Sequence, residues 1–250
     1  MEVYNIFWKN VKWRFQNPAT IVMNIIQPIV WLLLFSSMFT PAEGIGNVSY
    51  TTFILPGLLV MTVLTSAGVS CGIANYHLKG GGSFYRIFIS PVKRSSIVLG
   101  QVLDVEVLSF IGIGILLLVS IPFSINIASG ILGFILILFL LFLCVFFVGS
   151  LSYALSFVLP DENAFIGFIN TVTLPLFFLS TAIMPVEQLP RFFQIVIQFN
   201  PFSYVIDCLR TLVMQSIIDW TNILVVTLML CILGLASFTL AISKLKKAEK

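Results

Sequence analysis

Charge is scarce in this sequence. Lysine, arginine, aspartate and glutamate together make up 9% of its 250 residues, where a soluble domain carries about a quarter. That scarcity excludes an ordinary solvated surface. Histidine is nearly absent: His77 is the single one, with no cysteine, carboxylate or second histidine beside it in sequence, which argues against a histidine-based metal site or general base. The four cysteines, Cys71, Cys144, Cys208 and Cys231, form no CxxC pair and read as free thiols. No GxxxxGK[ST] loop occurs, so no P-loop ATP site is written into this chain, and a hydrolase's nucleophile–base set is not expected with a single peripheral histidine.

What fills the space is apolar: 59% of residues, with a mean hydropathy of +1.08. The apolar runs approach 20 residues, the length of a helix crossing a hydrocarbon core of about 30 Å. The short alternating segments of a membrane β-barrel are missing. The expected fold is therefore an all-α integral membrane protein, one transmembrane domain over residues 1–250, with six spans near 21–39, 53–74, 97–121, 131–158, 164–184 and 223–242. Basic residues set the orientation. Eleven of the thirteen fall before the first span (Lys9, Lys12, Arg14), between the second and third (Lys79, Arg86, Lys93, Arg94) or after the sixth (Lys244, Lys246, Lys247, Lys250). With six spans these three segments share one side, the cytoplasmic one, and both termini lie there.

Between the spans, three segments carry more information. Residues 1–17 read as an interfacial amphipathic helix. Asn5, Lys9, Lys12 and Gln16 make a polar stripe, opposite Tyr4, Phe7, Trp8, Val11 and Phe15. Residues 83–90 follow three glycines and precede Pro91. Ser83 suits an N-cap, and Phe84, Ile87 and Phe88 fall on one face, so a short amphipathic helix outside the bilayer is expected, shaped to plug into a partner. Residues 185–214 hold apolar stretches of nine or ten residues bounded by prolines, too short to span, and read as a re-entrant helix pair on the outer side. Within it Asp207 and Arg210, three apart, can pair on one helix face.

Polar residues inside the spans narrow the candidates for function. The first span holds Asn24, Gln27 and Pro28, the second Thr62, and the fifth Asn170, Thr173 and Pro175. Such groups avoid lipid and mark a subunit interface or a translocation path, or else bond to neighbouring backbone. The fourth span, nearly pure Ile, Leu and Phe, reads as lipid-exposed, with Gly149, Ser150, Ser152 and Ser156 marking its cytoplasmic half as packed. Glu106 in the third span is expected to pair with a basic residue of the interfacial helix. As a proton carrier it would instead define a proton-coupled secondary transporter.

Three blocks resemble a known family: Leu55-Pro-Gly-Leu-Leu-Val60, Ser90-Pro-Val-Lys-Arg94 with Val98-Leu-Gly-Gln101, and residues 179–190 followed by Asn200-Pro-Phe-Ser-Tyr204 and a later Arg210. The chain is similar, over essentially its whole length, to the membrane-spanning permease subunit of type-2 ABC exporters. The resemblance implies a non-enzymatic transport subunit in a bacterial inner membrane. It also implies a second permease, identical or not, and a cytoplasmic ABC ATPase that carries ATP-Mg, with no cofactor in this chain. The 83–90 helix (Phe84, Tyr85, Arg86, Ile87, Phe88) would dock on that ATPase. Asn200, Pro201, Tyr204, Asp207 and Arg210 would form the outer motif, and the cargo would be a drug, lipid, peptide or glycan. Where family members often carry an acidic stretch, this chain has Lys79-Gly-Gly-Gly-Ser-Phe-Tyr-Arg86.

Overall fold

The computed structural model describes residues 2–16, 18–38, 50–80, 92–123, 127–183 and 190–248, and among these every regular element is helical, with no strand. In chain order the helices are α1 (Glu2–Gln16), α2 (Pro18–Met38), α3 (Tyr50–Gly80), α4 (Arg94–Ser120), α5 (Gly130–Leu155), α6 (Glu162–Phe178), α7 (Arg191–Phe199), α8 (Pro201–Met214) and α9 (Trp220–Lys247).

Local chemistry explains several helix starts. Asp161 caps α6 by accepting from the Ala164 amide at 2.8 Å. Asp219 caps α9 through the Thr221 and Asn222 amides at 3.1 and 3.2 Å. Asn200 caps α8 by accepting from the Phe202 amide at 3.0 Å, with Pro201 in the first turn, where its missing N–H costs nothing.

α3 is the axis of the molecule. Its most apolar stretch is 83% buried, against 28% for α9 at the periphery. α2, α4, α5, α6 and α8 all pack on it. Glycines let α6 and the 180–183 turn beyond it approach closely. At Gly57 a Cβ would stand 2.7 Å from that of Ala182, and at Gly72 it would enter the ring of Phe165. At 31 residues α3 is about 46 Å long, more than the thickness of a bilayer core of about 30 Å.

Four helices among the described residues are long and apolar enough to cross a membrane: α3, α4, α5 and α9. They become five if α7 and α8, bent by 90° at Asn200, count as one broken span. These four match the second, third, fourth and sixth spans expected from sequence. Two expectations change. The helix of the fifth expected span stops at Phe178 rather than continuing to 184. Pro175 stands in its last turn, the Leu179 amide closes on the Pro175 carbonyl at 2.8 Å, and the chain turns through Ser180–Ile183. The fourth, α5, is not simply lipid-exposed. Ile131, Leu132 and Ile135 face outward, but Ile137, Leu140, Leu141, Cys144 and Val145 are buried, and α5 packs on both α3 and α9. Its sequence is apolar all round, so no stripe distinguishes the packed face from the open one.

Candidate functional site

The polar side chains gather at the two ends of α3, and a third set lies exposed on α2 and α6.

At the end of α3 that begins with Tyr50, the residues of the outer motif meet. Asn200 is buried. Its amide donates to the carbonyls of Leu176 and Leu179 at 2.7 and 3.0 Å while its oxygen caps α8. One side chain thereby satisfies the last carbonyls of α6 and fixes the corner between α7 and α8. Arg210, 12% exposed, donates to Asp207 at 2.8 Å, to the Phe53 carbonyl at 3.3 Å and to the Thr181 carbonyl, and its guanidinium lies 3.8 Å from the centroid of the Phe53 ring. The Tyr50 hydroxyl donates to the Ile183 carbonyl at 3.1 Å. Tyr204 is more peripheral, donating to the Gln198 carbonyl at 2.9 Å with its ring exposed. The far end of α8 is tied to the start of α5 by the Ala128 amide on the Val213 carbonyl at 3.0 Å. Sequence reasoning named Asn200, Pro201, Tyr204, Asp207 and Arg210 for this motif. It missed Tyr50, Phe53 and Thr181, which supply ring and carbonyls from 157 and 29 residues away. The blocks 55–60 and 179–190 were the only signal that those stretches belonged together.

At the other end, the last turns of α3 are fastened to the junction of α5 and α6. The Asn75 amide donates to the Ser156 hydroxyl at 2.7 Å, and the Lys79 ammonium to the Ser156 carbonyl at 3.0 Å. The Lys79 ammonium also sits 4.4 Å from the Phe157 ring centroid. Lys79 thus places a cation at the C-terminal, negative end of α5. The Tyr76 hydroxyl donates to the Leu159 carbonyl at 2.9 Å, Tyr76 packs on Phe165, and His77 comes within 4.0 Å of Glu162. One turn deeper, the Ser152 hydroxyl accepts from the Gly72 amide and donates to the Gly68 carbonyl. This clamp lies immediately before the expected coupling segment. Phe84, Tyr85, Arg86, Ile87 and Phe88 themselves fall in 81–91, outside the described residues.

Of the five expected path or interface residues, the four whose side chains are described divide between the core and the surface. Thr62 is buried and donates to the Leu58 carbonyl of its own helix at 2.8 Å, so it serves packing; a turn on, Ser66 pairs with Ser109 of α4 at 2.7 Å. Thr173 is buried. Gln27 on α2 and Asn170 on α6 are exposed, as are Thr171, Phe168, Val172, Leu174 and Phe178. The two helices touch where Trp31 meets Phe178 edge-on at 6.5 Å. Asn24 lies on α2, and its side chain is outside the described residues.

Glu106 departs from expectation. It is 4% exposed on α4, and neither carboxylate oxygen has a hydrogen-bond partner. The interfacial helix does pack on α4, and among the described side chains it presents Ile6 and Phe7 there. Among the described residues no group of three or more His, Cys, Asp and Glu side chains is placed to hold a metal.

A helical bundle with several apolar spans, an amphipathic N-terminal helix packed on α4 and a bent helix pair after α6 defines a polytopic membrane protein. Residues 1–214 match the ABC-2 type transporter family, and the chain belongs to it. A putative transport permease, ycf38, from Pyropia yezoensis is 33% identical over 83% of this chain and 71% of its own length. Nodulation protein J of Rhizobium leguminosarum bv. viciae is 26% identical over 94% of this chain and 90% of its own. The daunorubicin resistance ABC transporter permease DrrB1 of Streptomyces coeruleorubidus is 26% identical over 86% and 74% respectively. As a member of this family the chain is a membrane subunit of an ABC transporter, and ATP hydrolysis is carried by a separate ABC ATPase.

Proposed function

We propose that the chain is the permease of an ATP-driven exporter in a bacterial inner membrane, with both termini cytoplasmic. It docks on its ATPase through residues 83–90 and carries the motor's stroke outward along α3. The observation that carries this reading is that α3 is anchored at both ends: by Asn75, Tyr76 and Lys79 just before the docking segment, and by Tyr50 and Phe53 to the Arg210 cluster at the other end. A well-packed helix moves as a rod. A push at 81–91 therefore reaches the corner between α7 and α8 without a separate relay.

In this reading α2 and α6 also cross the bilayer, making six spans, and α7–α8 is the re-entrant outer corner. α6, 17 residues or about 26 Å long, suits a core of about 30 Å. Gln27, Asn170 and Thr171 would face lipid in a lone chain, at an energetic cost. A second permease laid against α2 and α6 covers them, and Asn24 belongs to the same interface. The relatives named for a nodulation protein and for drug resistance are consistent with export of a lipid-like, glycan, peptide or drug cargo.

The test is purification of the tagged protein from native membranes in mild detergent, beside a variant with Phe84, Ile87 and Phe88 changed to Asp. A P-loop ATPase is expected to accompany the wild type and to be lost from the variant. Retention of the ATPase by the variant would move the docking site elsewhere. No ATPase with either protein would overturn the exporter reading and return Glu106 as a proton carrier to first place.

A further inference from the structure

α2 and α6 both pack on α3, and Trp31 of α2 meets Phe178 of α6 edge-on at 6.5 Å, so the two helices form one wall of the molecule. Each carries one exposed carboxamide, Gln27 on α2 and Asn170 on α6. Measured back from the Trp31–Phe178 contact, Gln27 lies about 6 Å and Asn170 about 12 Å along its helix. The amides therefore stand one turn apart in depth, within the combined reach of their side chains. Around them the open side of the wall is apolar, with Val30 and Leu33 on α2 and Leu174 and Phe178 on α6. Among the described residues neither amide has a hydrogen-bond partner. The sequence places no charged residue in 18–38 or in 163–178.

A wall of two helices laid on a copy of itself, about a two-fold axis along the bilayer normal, sets α2 of each copy against α6 of the other. Gln27 of each copy then comes opposite Asn170 of the other, and the pairing occurs twice. A carboxamide both donates and accepts, so the two amides satisfy one another, and this chain carries both halves of the bond. An uncharged wall meets no like-charge repulsion when it pairs with itself. We infer that the second permease is another copy of this chain, held by two reciprocal Gln27–Asn170 amide pairs. The inference rests on the reading that α2 and α6 cross the bilayer with a second permease against them, and it names that permease.

The experiment uses two full-length copies with different tags, expressed together in native membranes. One carries Gln27→Cys and the other Asn170→Cys, so that each assembled pair keeps one intact Gln27–Asn170 contact. Wild-type copies, with the four native cysteines, give the background of oxidation. Mild oxidation is expected to yield a reducible dimer bearing both tags, several-fold above that from two Gln27→Cys copies or two Asn170→Cys copies. In liposomes, self-association followed by energy transfer between labelled copies is expected to weaken on the order of tenfold in Gln27→Leu. Failure of one tag to recover the other, a stronger cross-link between like positions than between 27 and 170, or unchanged association of Gln27→Leu would each overturn the inference. The ABC ATPase is probed in the same preparations. Its recovery with one tag alone, beside a different permease, removes self-pairing and leaves the exporter reading standing. A cross-linked dimer without any ATPase supports self-pairing and removes the exporter reading.

Discussion

Arg210→Ala is expected to be among the most damaging single substitutions in this chain, costing on the order of 3 kcal/mol in thermal or denaturant unfolding of the purified protein. The guanidinium joins α8 to α3 and to the 180–183 turn at once. Its removal leaves the Phe53 and Thr181 carbonyls without their donors and the Phe53 ring without its cation. Arg210→Lys is expected to recover less than half of the loss, because one ammonium cannot reproduce a planar fork that donates in three directions. Asp207→Asn is the informative control. Asp207 is 47% exposed, so its ion pair is screened and contributes at most about 1 kcal/mol. A large effect of Asp207→Asn together with a small one of Arg210→Ala would show that the ion pair, not the two backbone carbonyls, holds the corner.

Asn200 gives a second large effect, with an unusual order among the variants. Its amide donates twice and its oxygen accepts once, each toward a backbone group. Asn200→Ala removes a helix cap, worth about 1 kcal/mol, and strands the Leu176 and Leu179 carbonyls, at about 1–3 kcal/mol for each buried group left unsatisfied. Asn200→Asp keeps the shape and the cap but turns a carboxylate oxygen toward those two carbonyls. The near-isosteric Asp variant is therefore expected to be less stable than Ala at neutral pH. Melting temperatures of the two variants side by side decide it; an Asp variant as stable as wild type would mean that the two donor bonds contribute little.

These two residues also show what the sequence could and could not convey. The spacing of Asp207 and Arg210 is local, and the helix pairing it predicts is present at 2.8 Å. The Asn200-Pro201 break is local too, and it caps α8 as such a pair should. The groups that give Arg210 its weight are backbone carbonyls and a ring from distant segments, and no spacing rule reaches a carbonyl. The early end of α6 had a local cause in Pro175, but prolines are tolerated within membrane helices, so the sequence alone did not select a stop. The failed pairing of Glu106 has a geometric cause. The interfacial helix sits on α4 as expected, yet among its described side chains it is Ile6 and Phe7 that face α4, while Tyr4 and Trp8 stack on each other at 6.3 Å on the exposed side. The apolar arc is wide enough to dock in more than one rotation, and helical periodicity does not choose between them. The clamp at the Gly80 end of α3 was invisible in sequence. Asn75, Tyr76 and Lys79 read as the polar end of a span, and their partners are carbonyls and a hydroxyl about 80 residues on.

The central claim is that α3 is one rigid strut whose Gly80 end moves together with the junction of α5 and α6. His77 and Glu162 approach to 4.0 Å there, and both side chains are open to solvent at 52% and 39%, so cysteines at these two positions are accessible to a short, cleavable bifunctional thiol reagent. The measurement is ATP hydrolysis by the reconstituted permease–ATPase complex carrying His77→Cys and Glu162→Cys, before cross-linking, after it, and after cleavage of the linker. A clamp that stays closed through the cycle predicts the same turnover in all three states. Arrest on cross-linking with recovery on cleavage would show that the clamp must open, and that the stroke leaves α3 by another route.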